Sequence, residues 1–75
     1  TIKEGEKYNS NFLISNNLFR NPDGEVKSNR QHIYYLIYSG FLKAERKVPI
    51  GASKREVFEI KGSEIISALK KYYNL

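Results

Sequence analysis

Ser28-Asn-Arg-Gln-His-Ile-Tyr-Tyr-Leu-Ile-Tyr-Ser-Gly-Phe-Leu42 is the stretch on which the fold turns. Set on a helix from Asn29 to Ser39, at about 100° per residue, Ile33, Leu36 and Ile37 fall on one narrow apolar stripe that Gly40 continues. Gln31, Tyr35 and Tyr38 point the other way, with Tyr34 on the edge. Ser28 suits the N-cap, because its hydroxyl can accept from a backbone N–H of the first turn. Gly40 suits the position just past the helix, since glycine enters the left-handed region at little cost. Directly afterwards Phe41 to Val48 and Arg55 to Ile60 read as two antiparallel strands around the turn Pro49-Ile-Gly-Ala-Ser-Lys54. Leu42, Ala44, Arg46 and Val48 alternate with Phe41, Lys43, Glu45 and Lys47. Across the turn, Phe58 and Ile60 alternate with Arg55, Val57 and Glu59. The Leu42/Ala44 and Phe58/Ile60 sets are expected to face the core.

The run Ile33-x-x-Leu36-x-x-x-Gly40-Phe41-Leu42, followed by this hairpin, resembles the recognition helix and wing of winged helix-turn-helix DNA-binding domains. The match spans about residues 28 to 73. It implies a small α+β fold with a two-stranded antiparallel wing and a C-terminal helix. It also implies that Ser28, Asn29, Arg30, Gln31 and Tyr35, on the first two turns of the helix, contact DNA bases. The hairpin would then be the wing that meets the backbone or the minor groove.

Outward from there the chain is less regular. Gly62-Ser63-Glu64 opens a last helix, with Ser63 as its cap and Glu64 placed to suit the helix dipole. Its apolar face is Ile65, Ile66, Leu69, Tyr72 and Tyr73, and Lys70 and Lys71 lie in its last turn. That face can close over the chain's own core, the simpler arrangement, or pair two copies into a homodimer. Upstream, Asn21-Pro-Asp-Gly24 has the residues of a type I turn. Tyr8 to Arg20 supports two readings. One is a helix from Asn11 to about Phe19 capped by Ser10, which we favour. The other is a strand from Asn11 to Ser15 with a turn at Asn16-Asn17. Residues 1 to 7 read as a frayed or extended lead-in, with an edge strand through Ile2 as an option.

Seventy-five residues make one domain with a modest core. Thirteen Lys and Arg against eight Asp and Glu give a net charge of +5, and the isoelectric point is near 9.6. That balance favours polyanionic partners, nucleic acid before acidic membrane. The absence of cysteine excludes disulfides and thiolate metal sites, and a single histidine, His32, cannot build a histidine metal cluster. No apolar run approaches the length of about 20 residues needed to span a bilayer, and no cofactor signature appears. A cytoplasmic or nucleoid-associated location is expected. Catalysis is not: the acids are scattered, Asp23 and Glu25 sit in a turn, and no glycine-rich phosphate loop precedes a helix.

Chemistry supports the DNA reading at particular residues. Arg30 can pair bidentately with guanine and Gln31 with adenine, while Lys27, Ser28 and the tyrosines can hold phosphates. The plain alternative for this helix is a solvated polar face. Lys47, Lys54 and Arg55 cluster toward the tip of the hairpin, where a wing would touch DNA; the plain alternative is charge that keeps an edge strand from aggregating. His32 reads as a flank residue with a satisfied ring. The expected function is therefore non-catalytic duplex binding, as a transcriptional regulator or as the DNA-binding module of a larger or mobile-element protein. A protein-interaction module that docks an acidic partner is the alternative.

Overall fold

A computed structural model describes residues 2–20, 29–52 and 55–74. The expected turn at Asn21–Gly24, the Ser28 cap, and Lys27 and Lys54 lie outside the described residues. The elements run β1 (Lys7–Asn9), α1 (Ser10–Ser15), α2 (Arg30–Tyr38), β2 (Arg46–Pro49), β3 (Glu56–Lys61) and α3 (Gly62–Tyr72). The fold is α+β, three helices on a three-stranded antiparallel sheet ordered β1-β3-β2. No described helix is long and apolar enough to cross a membrane.

The hairpin is therefore not a two-stranded ribbon but two-thirds of a sheet. β1 adds to the far side of β3, pairing Lys7 with Lys61, Tyr8 with Ile60 and Asn9 with Glu59. Of the frayed or extended lead-in over residues 1–7, Lys7 is extended and in the ladder, and the edge strand lies beyond Ile2. Residues 2–6 are fastened too. The Glu6 N–H donates to the Lys3 carbonyl at 3.2 Å and the Gly62 N–H to the Glu6 carbonyl at 2.8 Å. A Cβ at Gly62 would run into the Lys3 carbonyl, so glycine here lets the lead-in lie against the start of α3.

Where β1 ends, α1 begins. Asn9, in extended backbone, caps it by accepting the Phe12 N–H at 2.9 Å, so the cap is Asn9 and not Ser10. Ser10 is fully buried, and its hydroxyl accepts the Phe58 N–H at 3.2 Å. A central-strand donor left over at the end of β1 is thus satisfied. The helix stops at Ser15, short of the expected Phe19, because Asn17 takes a left-handed φ of 53° that asparagine tolerates. Leu13 and Phe19 are both fully buried all the same.

The second strand is shorter than the Phe41–Val48 reading. Gly40 adopts φ 86°, and the Leu42 N–H reaches back to the Leu36 carbonyl at 3.0 Å, so residues 41–42 still belong to the closure of α2. The ladder opens with the Glu45 N–H on the Glu59 carbonyl and then pairs Arg46 with Glu59, Lys47 with Phe58, Val48 with Val57 and Pro49 with Glu56. Leu42, Phe58 and Ile60 are buried as expected, and Ala44 packs on the core's margin. Arg46 departs from its inward row and pairs with Glu59 in solvent. Val57 departs the other way and is buried.

Ile33 and Leu36 from α2 and Ile65 and Ala68 from α3 complete the core with Leu13, Phe19, Leu42, Phe58 and Ile60. In α3, Lys61 occupies the cap position without a side-chain bond, and Ser63 lies inside the first turn, which corrects the Ser63 cap. Tyr72 packs edge-on against Phe19, at 5.3 Å between ring centroids, within its own chain. The Tyr73 hydroxyl donates to the Leu18 carbonyl at 2.7 Å and accepts the Arg20 N–H at 2.8 Å, which ties the end of α3 to the segment after α1.

Candidate nucleic-acid interface

Three attachments orient α2. Ile33 and Leu36 sink into the core. The His32 ring shares a 2.9 Å hydrogen bond through Nε2 with the Tyr72 hydroxyl. Burial, and then the neighbouring Tyr73, hold the Tyr72 phenol above its ordinary pKa of 10.0, so at neutral pH it keeps its proton. At the first turn Asn29 is the cap, its Oδ1 accepting the His32 N–H at 2.9 Å. Asn29 was expected to contact bases. Its carbonyl oxygen is taken up in holding the helix, and its amide N–H groups remain.

The opposite face is open to solvent, apart from the ring contact of Tyr38 with Phe58. Arg30 and Gln31 are exposed, and Tyr35 and Tyr38 are 67% and 68% exposed. Asn29, Gln31 and Tyr35, three of the expected base contacts, line one shallow depression together with His32. Arg30 opens on the other flank, into a cleft of about 220 Å³ that it shares with Asn11, Tyr34, Glu56 and Arg55. The fold therefore brings Arg30 and Arg55 together, one from the start of α2 and one from the foot of β3.

Lys47 is not at the hairpin tip. It stands mid-strand opposite Phe58, with its ammonium 5.3 Å from the Phe58 ring centre. Tyr34 and Tyr38 meet the same ring edge-on at 5.1 and 5.7 Å. Tyr38 and Phe58 were not among the sequence's candidates. The signal was there in part: Tyr34 and Tyr38 are four apart on one helix, and Phe58 sits across the ladder from Lys47.

Charge is unevenly matched. Lys7, Arg46 and Lys61 converge on Glu45 and Glu59 along the strands, at 3.1 to 3.8 Å. Five charged groups there leave a net charge of only +1. Arg20, Arg30, Lys43, Lys47, Lys70 and Lys71 belong to no ion pair among the described residues, so unmatched positive charge lies on α2 and the hairpin and also after α1 and at the end of α3. No three of His, Asp and Glu converge as metal ligands would, again among the described residues. Compared with protein-family models, curated proteins and solved structures, the chain matches none.

Proposed function

We propose that this chain binds double-stranded DNA without catalysis, as a winged helix-turn-helix would, serving as a transcriptional regulator or as the DNA-binding module of a larger protein. α2 enters the major groove, which is wide enough to admit a helix. Arg30 reads guanine and Gln31 reads adenine, while Tyr35 and the residues of the cleft beside Arg55 hold the backbone. Lys47 contributes from the flanking strand of the hairpin. The observation that carries this reading is the one-sided anchoring of α2. Its inner face is locked by Ile33, Leu36 and the His32–Tyr72 bond, and its outer face presents Arg30, Gln31 and Tyr35 to solvent, with Tyr38 exposed but edge-on to Phe58. A helix held on one side, with an exposed polar face and cations near it, has the chemistry for duplex recognition.

Salt dependence tests the electrostatic half. With about four to six phosphate contacts, log K for random duplex falls linearly against log salt with a slope of about −4 to −5. Fluorescence anisotropy on a labelled duplex between 50 and 300 mM salt, on the order of the range where this term dominates, reads that slope. A flat response, or no binding at low salt, removes DNA as the partner and leaves the protein-interaction module.

A further inference from the structure

A second concave surface lies at the other end of α2. Between its last turn and the chain from Leu42 to Lys47 runs a groove of about 460 Å³. Ile37, Leu42, Ala44 and Phe58 form the floor, and Tyr38 forms one wall. The apolar floor sets this groove apart from the polar face around Arg30 and Gln31, because a phosphate backbone gains nothing from aliphatic contact. The rim is cationic. Lys43 and Lys47 border the groove, and neither belongs to an ion pair among the described residues. The one carboxylate on the border, Glu45, is held by Lys7 at 3.2 Å and Lys61 at 3.3 Å, and Arg46 beside it is spent on Glu59.

We propose that this groove docks an acidic polypeptide segment, seating one aliphatic side chain on the floor while flanking Asp or Glu residues meet Lys43 and Lys47. The charge complementarity selects this occupant. A second copy of the chain would bring its own net charge of +5 to a cationic rim, and a single nucleic-acid strand, though it could stack on Tyr38 or Phe58, would leave the aliphatic part of the floor, Ile37, Leu42 and Ala44, unfilled. One buried aliphatic anchor and two rim charges support weak, micromolar-to-millimolar binding, in the range of a transient contact. The groove shares Lys47 with the proposed duplex face, and Arg30→Ala separates the two, since it is expected to lower DNA affinity and leave the peptide's unchanged.

The experiment titrates the isotope-labelled protein with a synthetic peptide of Asp and Glu around a single central Leu, and follows amide chemical shifts. Saturable shifts are expected at Ile37, Tyr38, Lys43 and Ala44. A sibling peptide with Ser in place of Leu is expected to bind at least tenfold more weakly, and so is the Lys43→Glu/Lys47→Glu variant, whose spectrum away from the groove stays native. Equal binding of the Ser peptide would reduce the contact to charge alone and overturn the proposal. So would shifts confined to Arg30 and Gln31. The same groove shifts produced by a single-stranded oligonucleotide, or by concentrating the protein without peptide, would overturn it in favour of those occupants.

Discussion

At the scale of the residue, much of this structure depends on polar groups that look interchangeable in the sequence. Ser10 is the clearest. Its buried hydroxyl is the acceptor for the Phe58 N–H, so Ser10→Ala leaves a central-strand donor without a partner and without water. The expected loss is about 1–3 kcal/mol, read as a fall in the urea midpoint with an unchanged m-value. A loss below about 0.5 kcal/mol, the usual spread of surface substitutions, would mean that the hydroxyl is not needed there. Nothing local in Tyr8-Asn9-Ser10-Asn11 announces this bond, because its other end lies 48 residues away. The same limit explains the caps. Asn9 and Ser10, like Ser28 and Asn29, are adjacent residues of similar capping power, and only the backbone angle of the cap separates them. Gly40 was legible for the opposite reason: a φ of 86° excludes most other residues, so its role was written in its type.

At the scale of the element, α2, the hairpin and α3 were readable because each has a period, and β1 was not because three residues cannot show one. β1 owes its place to Tyr8 on the core and to Lys7, which reaches Glu45 and Glu59 across the sheet. That bridge carries a pH dependence. The hydrogen bond from Lys7 holds the Glu45 carboxyl below its ordinary value of 4.5, with Lys61 adding to it and partial desolvation opposing it. The folded-state value lies below the unfolded one, so the stabilisation is complete above the unfolded value. It is lost as pH falls below about 4.5 and through the folded value. Urea midpoints are therefore expected to drop from pH 5 toward about pH 3, and to drop less in Glu45→Gln. Identical pH profiles for the two proteins would remove Glu45 from the account. All these groups are solvent-accessible, so high salt is expected to flatten the difference.

At the scale of the whole molecule, the fold divides the charge into a neutralised cluster on the strands and cations that belong to no ion pair among the described residues, Arg30, Lys43 and Lys47 among them. The sequence supplied the net charge but not this division, which arises when the fold brings Lys7 and Lys61 to Glu45. It likewise supplied Arg30 and Arg55 as separate candidates, and the tertiary structure made them neighbours on one cleft. What the division implies for function is decided at the helix. Alanine at Arg30 or Gln31 is expected to cost about 1–3 kcal/mol on a duplex selected from a random pool, and much less on a scrambled duplex of the same length. Arg55→Ala, beside the turn of the hairpin, is expected to weaken both alike and to flatten the salt slope by about one unit. The most direct measurement is the affinity of wild type, Arg30→Ala and Gln31→Ala for those two duplexes at one salt concentration. Preferential loss on the selected site is the predicted result, and equal loss on both would mean that α2 is scaffold and not the reader.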